Sequence, residues 1–316
     1  MIDRKKLILS EDTEVALVYR LATPAAITLA KNISKWLKAR GYKVATAPEQ
    51  KNIPGTKQLR NSKDLGKMGL IIVLGGDGTY LRAVRLLKGQ PVPILGINLG
   101  SLGFLTPTRA DEAFTAIEQT LQNNMELRPR SMLKVTLYHK RKKRFETMSL
   151  NDVVIERGSL SQLINLEIRA DGDFVKAIKA DGLIISSPTG STAYNLAAGG
   201  PIVHPDVKAL IVNPISPHSL TSRPTIFPEK VELSFKLVKK LQDPGKSSHM
   251  EKIEKTETLA KKQAAHLVAD GQKLADISHD DEIRVTTSTM AHYFIKDPHH
   301  NYFDLLREKL KFGDRE

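Results

Sequence analysis

Apolar residues in the first third of the chain fall into short runs separated by helical stretches. Val15-Ala16-Leu17-Val18, inside Glu14 to Tyr19, reads as a strand. Pro24 to Lys38 then carries Ile27, Ala30, Ile33 and Leu37 at helical spacing, with Gly41 as a C-terminal stop. Val44 to Ala47 reads as a second strand, and residues 52–67 as a polar, Gly- and Pro-punctuated loop with some helix. Leu70 to Leu74 is an apolar run of strand length that ends in Gly75-Gly76-Asp77-Gly78-Thr79. A helical pattern follows at once through Leu81, Ala83, Val84, Leu86 and Leu87. Pro93 to Asn98 is another buried-strand candidate, followed by a second glycine stretch from Gly100 to Leu105. Asp111 to Leu121 closes the region as a helix, with Ala113, Phe114, Ile117 and Leu121 in register. Strands alternating with helices predict an α/β domain with a doubly wound parallel sheet. Its ligand crevice should lie off the carboxyl ends of the strands, where Asp77 and Asn98 fall.

The pattern changes near residue 130. Met132 to His139 alternates, with Leu133, Val135 and Leu137 on one face. Leu163 to Ala170 alternates likewise, and Asp171-Gly172-Asp173 reads as a hairpin turn into Phe174 to Ala180. Val231 to Val238 alternates again through Leu233, Phe235 and Leu237. These segments predict a β-rich, mostly antiparallel domain over about 131–290, after an α/β domain over 1–130. Lys239 to Ala265 is charge-rich and carries Pro244-Gly245, which marks it as a surface insertion. A final helix over Tyr302 to Lys311 places Phe303, Leu305, Leu306 and Leu310 on an apolar side, so the 291–316 segment is expected to pack back on a core. No internal repeat is present.

Composition narrows the partners. The 316 residues include 48 Lys+Arg against 35 Asp+Glu, a formal charge of +13 that suits anionic ligands. The only compact basic run, Lys140 to Arg144, lies between two strand-like segments and reads as a solvated hairpin turn. With no aromatic-interleaved basic motif, a nucleic-acid partner is not expected. The absence of cysteine excludes disulfides, thiolate zinc sites and cysteine nucleophiles. No signal-peptide core and no bilayer-length apolar stretch occurs, so a cytoplasmic protein without a membrane partner is expected.

Candidate chemistry gathers at three places. In Gly75, Gly76, Gly78 and Thr79, a strand, a tight turn and a helix N-terminus form a phosphate cradle, since free N–H groups and the helix dipole favour an anion. Asp77 is the odd feature, because a carboxylate beside phosphate is repelled unless a metal, a cation or a proton transfer accounts for it. The competing reading is an ordinary Asp-Gly turn. Asn151-Asp152, at the start of an apolar strand, is either a turn or a hydrogen-bonding pair for sugar hydroxyls. Ala180 to Pro201 runs from an apolar strand into a cluster of hydroxyls and glycines; it reads either as a plain loop or, the favoured reading, as a ligand wall in which Tyr194 can stack on a flat ring. Neither glycine stretch completes Gly-x-Gly-x-x-Gly, no P-loop closes, no His-Glu-x-x-His occurs, and His204 reads as structural. No protein ligand set for a metal is identified.

Together, Gly75-Gly76-Asp77-Gly78-Thr79, Asn151-Asp152, Asp181-Gly182-Leu183 and Pro188-Thr189-Gly190-Ser191-Thr192-Ala193-Tyr194 resemble the NAD kinase family. The first motif alone is shared with diacylglycerol-type lipid kinases and, loosely, with phosphofructokinases; the last is far more specific. The resemblance implies an α/β N-terminal domain, a β-rich C-terminal domain and a tail helix returning to the first. It also implies roles: Asp77 as the catalytic aspartate acting on the adenosine ribose 2′-hydroxyl, with Gly78 beside it. Asn151 and Asp152 match the pair contacting the dinucleotide and Asp181 the residue near the nicotinamide end. Thr189 and Thr192, Ala193, Tyr194, Asn195, Leu196 and Ala197 match the wall around the adenosine. Arg82, Gln162, Lys179 and Gln272 fall at further ligand-contacting positions. Two departures stand out: the family usually has Asn-Glu where this chain has Asn151-Asp152, and a basic residue where it has Leu99.

The expected reaction is transfer of the terminal phosphoryl group of ATP to NAD, giving NADP. A ribose hydroxyl is a poor nucleophile, so a carboxylate within hydrogen-bond reach orients it and takes its proton. Alignment and charge neutralisation, with Mg²⁺ carried by the phosphates, do the rest. Inorganic polyphosphate as donor and NADH as acceptor remain open, and the resemblance implies a homodimer or homotetramer. The competing functions are a lipid kinase sharing the glycine-aspartate turn, and a non-catalytic dinucleotide or nucleic-acid binder.

Overall fold

A computed structural model describes residues 5–158, 163–238 and 265–311. Gln162 and all of the charged 239–265 segment except Ala265 lie outside the described residues. The chain divides into two compact units, residues 1–131 with 289–316, and residues 132–288.

The first unit is built on a sheet with nine strands among the described residues. Leu70–Leu74 is wholly buried, in parallel register with Val15–Tyr19 on one side and Ile94–Asn98 on the other. Strands covered on both faces have no polar side to present, which is why they read as continuous apolar runs. Val44–Thr46 and Lys57–Gln58 continue the parallel order. The Pro24–Ala39 helix starts with proline in its first turn and buries Ala26, Ala30, Ile33 and Leu37. Asp77–Leu87 and Ala113–Leu121 are the other two long helices before residue 131.

The sheet is mixed rather than purely parallel. His292–Lys296 inserts beside Ile94–Asn98 in parallel and pairs antiparallel with Glu126–Arg130, which in turn pairs with Lys5–Lys6. The C-terminal helix Tyr302–Leu310 opens with a capping box in which Asn301 and Asp304 satisfy each other's backbone N–H groups. Of its predicted apolar side, Leu306 is buried, Leu305 and Leu310 are half-buried and Phe303 is exposed. Lys309 donates to the Leu102 carbonyl and Arg109 pairs with Glu308 at 2.6 Å, which ties this helix to the 102–109 loop.

Among the described residues the second unit has two six-stranded sheets, with every strand pair antiparallel. One core joins them: Leu133, Val135, Leu166, Ile168 and Phe235 from one sheet meet Val153, Ile155, Leu183, Ile185 and Leu267 from the other. The basic run lies exposed on the Leu133–His139 to Lys142–Ser149 hairpin, with Lys140 and Arg141 both at positive φ. Asp171-Gly172 turns the next hairpin the same way.

Candidate active site

In the first unit the central strand Leu70–Leu74 delivers its chain end to the helix Asp77–Leu87, with Gly76 as N-cap. Gly75 lies so close to Thr79 that a Cβ would come within 2.4 Å of its Oγ1. Gly76 and Gly78 instead face open space, with nothing within 4 Å of an added Cβ. The N–H groups of Gly76, Asp77 and Gly78 have no acceptor among the described residues, so this turn keeps the free donors that an anion needs.

Asp77 is half-buried and its carboxylate is turned onto the second glycine stretch. Oδ1 accepts from Leu105 N at 3.0 Å, Thr106 N at 3.1 Å and Thr106 Oγ1 at 3.0 Å, while Oδ2 accepts from Phe104 N at 2.9 Å. Glycine makes the approach feasible: a Cβ on Gly103 would fall 2.1 Å from Asp77 Oδ1, and one on Gly96 would fall 2.4 Å from the Leu105 carbonyl. In the sequence the Gly100–Leu105 stretch is a second glycine stretch with no role of its own. Its partner lies 27–29 residues away, and nothing local announces the pairing. Arg82, on the same helix, donates to the Tyr19 carbonyl at 3.1 Å and keeps its Nε buried without a partner.

In the second unit Asn151-Asp152 forms a tight turn entering the strand Asp152–Arg157. The turn wraps the Asp270 carboxylate, which accepts from Leu150 N at 2.9 Å, Asn151 N at 2.8 Å, Asp152 N at 3.4 Å and Ser149 Oγ at 2.6 Å. Asp270 and Gly271, both at positive φ, turn the hairpin between Ala265–Ala269 and Gln272–Ile277. Asp270 was missed in the sequence; the Asp270-Gly271 pair directly before Gln272 is the local signal, and it reads simply as a turn. Burial pushes the Asp152 carboxyl up to about 7, with the neighbouring Asp270 charge adding to the effect.

The hydroxyl-rich stretch is not a loop. Thr189–Thr192 is a 3₁₀ turn and Tyr194–Ala197 a short helix, laid over the strand Gly182–Ser186. Ser187 N donates to the Asn151 carbonyl at 2.9 Å, and a Cβ on Gly190 would strike that carbonyl at 2.1 Å, so only glycine lets this turn lie on the Asn151 turn. The contact leaves Asn151 Oδ1 and Thr189 Oγ1 buried and without a hydrogen-bond partner. An orphaned acceptor and an orphaned hydroxyl are groups that a polyhydroxyl ligand would satisfy. Asn195 is wholly buried and its amide donates to the carbonyls of Ser191 and Pro201, so it holds the turn together. Asn213 anchors the short helix by donating to the Asn195 and Ala198 carbonyls.

Thr192, Ala193 and Leu196 are half-buried around this turn, and Tyr194 and Ala197 are exposed. The Tyr194 phenol is held above its usual range by burial first, then by the carboxylates of Glu156, Asp152 and Asp181. Asp181 is paired with Arg157 at 3.2 Å. Lys179 and Gln272 are both exposed, the former accepting His218 N at its carbonyl and the latter donating to its neighbour Gly271. Asp77, Arg82 and the glycine turn are thus gathered in one unit. Asn151, Asp152, Thr189, Asp181 and Tyr194 are gathered in the other.

Comparison with known proteins gives this arrangement its context. Residues 15–125 match the family model described as the ATP-NAD kinase N-terminal domain, and residues 150–244 match that of the ATP-NAD kinase C-terminal domain. The NAD kinase of Bdellovibrio bacteriovorus is 51% identical over 312 residues, covering 99% of this chain and 96% of that one. The NAD kinase of Geotalea daltonii is 35% identical, covering 96% and 99%. Among solved structures, yeast NADH kinase complexed with NADH superposes with a TM-score of 0.85 at 26% identity, covering 99% of this chain and 91% of that one. An Archaeoglobus fulgidus NAD kinase in complex with ATP shares the fold, with a TM-score of 0.70 at 24% identity over 93% of this chain and 99% of that one. These matches define an ATP-dependent phosphotransferase acting on a dinucleotide. The chain belongs to the NAD kinase family.

Proposed function

We propose that this NAD kinase phosphorylates the 2′-hydroxyl of the adenosine ribose of NAD with ATP, and that Asp77 is the general base. The observation that carries the reading is the Gly75–Thr79 turn: free N–H groups, two glycines open to approach, and a carboxylate fixed at the helix N-terminus. The free amides neutralise phosphate charge, and Asp77 Oδ2, with one protein donor, keeps a lone pair for the hydroxyl proton. In the second unit, Asn151 Oδ1 and Thr189 Oγ1 meet ribose or base donors, and Tyr194 offers a ring face. Asp152, beside Asn151, contacts the dinucleotide, and Asp181 lies toward its nicotinamide end. Arg82, Lys179 and Gln272 serve as further ligand contacts.

Among the described residues no cluster of three His, Asp or Glu side chains could hold a metal. A Mg²⁺ ion carried on the donor phosphates would, when bound, supply charge neutralisation beside the free amides of the Gly75–Thr79 turn. The same reading carries a cytoplasmic location and a homodimeric or homotetrameric assembly. No helix among the described residues is long and apolar enough to cross a membrane.

The test is NADP formation by the native protein and by Asp77→Asn, with ATP or polyphosphate as donor and NAD or NADH as acceptor. The variant should lose turnover by several orders of magnitude while NAD binding stays near normal. Near-normal turnover would remove Asp77 from the role of base.

A further inference from the structure

Four hydrogen bonds on one carboxylate raise the question of what they are for. Resting on the reading of Asp77 as the base, we infer that Asn98 and Thr106 are positioning residues that present Asp77 to the substrate hydroxyl through a one-way hydrogen-bond chain. Asn98 ends the strand Ile94–Asn98 and is buried. The Gly100 N–H donates to its Oδ1 at 2.6 Å, which fixes the amide orientation and turns Nδ2 toward Thr106. Nδ2 lies 2.8 Å from Thr106 Oγ1 and can only donate, so the threonine hydroxyl accepts there. Its single proton is then committed to Asp77 Oδ1 at 3.0 Å.

With two backbone amides added, Oδ1 accepts three donors and is fully engaged. Oδ2 accepts one donor and keeps a free lone pair. The chain therefore decides which oxygen acts, and it locks the side chain against rotation. Thr106 is completely buried, so no solvent competes for its hydroxyl. The close approach requires glycine at position 103, where a Cβ would fall 2.4 Å from Thr106 Oγ1. Neither residue touches the transferred group; both act through Asp77.

The experiment measures kcat, KM and NAD dissociation constants for Thr106→Val, Thr106→Ser and Asn98→Asp in the full chain, with thermal melting as a control on folding and Asp77→Asn in parallel. Valine keeps the shape but removes the proton. It should lower kcat about ten- to a hundredfold, the loss expected when a reacting group is misplaced by a fraction of an ångström to an ångström. NAD binding should change by less than about twofold, since ground-state binding does not use this bond. Serine, which keeps the hydroxyl, should recover most of the rate. Asn98→Asp offers Thr106 an acceptor that competes with Asp77 for its proton, and kcat should fall again with binding retained. Native kcat in Thr106→Val alongside an inactive Asp77→Asn overturns the proposal and leaves the base assignment standing. Joint loss of NAD binding and melting temperature, unrescued by serine, also overturns it in favour of a purely structural role. An active Asp77→Asn overturns both.

Discussion

Asp152 enters its strand buried, beside a second carboxylate, and its proton is held up to about 7 against an ordinary 3.8. Burial is the larger cause, and Asp270, held by the turn's backbone amides, adds to it. The folded pKa is the higher one, so the stability this group contributes is complete below about 3.8 and is lost as pH rises toward 7. Asp152→Asn removes that loss. Urea denaturation at pH 5 and pH 8 should show the variant gaining on the native protein at the higher pH, by at most about 3 kcal/mol. Equal differences at both pH values would mean that Asp152 is charged throughout. The Asn151-Asp152 pair was visible in the sequence as a turn with ligand potential. Asp270 was not, because its contacts are with residues 118–121 positions away. Hydrogen bonds of that separation leave no trace in local spacing. Gly103 and Gly190 share this character: each reads as loop composition, yet each makes room for one particular backbone or carboxylate.

At the scale of elements, the helix carrying Asp77 is fastened to the C-terminal strand by a buried pair. Tyr80 Oη lies 2.7 Å from His292 Nε2, with the rings edge to face at 5.5 Å and Phe294 packed alongside. Burial pushes the imidazole down to about 3, with Arg130 adding to it, and burial drives the phenol well up, so both stay uncharged. Tyr80→Phe leaves the His292 nitrogen buried without its partner and should cost about 1–3 kcal/mol in urea denaturation at neutral pH. A native denaturation midpoint would mean that the hydrogen bond contributes nothing net. His292 also gives an acid signature: its folded pKa lies below the ordinary 6.5, so its contribution is complete above 6.5 and is lost as pH falls toward 3.

Leu70–Leu74 and the alternating Leu133–His139 and Leu233–Leu237 strands were legible because burial on two faces or on one imposes a period on the sequence. His292–Lys296 was not legible. It is five residues long, begins with a histidine and ends with a lysine, and it is a strand only because two neighbours flank it. The hydroxyl-rich stretch shows in the sequence only by its composition, because a 3₁₀ turn and a four-residue helix are too short to establish periodicity.

For the whole molecule, the consequence is that the first unit is discontinuous in sequence. Its sheet runs Lys5–Lys6, Glu126–Arg130, His292–Lys296, Ile94–Asn98, Leu70–Leu74 and onward, so the C-terminal strand is an interior member. Residues 1–131 alone lack it, and with it Phe294, the His292 partner of Tyr80 and the helix that ties down the 102–109 loop. The gap would leave the Ile94–Asn98 edge and the Glu126–Arg130 edge unpaired and the buried Tyr80 hydroxyl without its His292 partner, a combined cost comparable to the few kcal/mol by which domains are stable. Residues 132–288 contain both sheets and the whole of their shared core. Expressed separately, 132–288 should unfold with a cooperative thermal transition followed by circular dichroism, while 1–131 should show none and be cleaved rapidly by trypsin. Joining 289–316 to 1–131 through a flexible linker should restore a cooperative transition. If 1–131 melts cooperatively unaided, the C-terminal strand is an accessory to this sheet and the Tyr80–His292 pair cannot be its keystone.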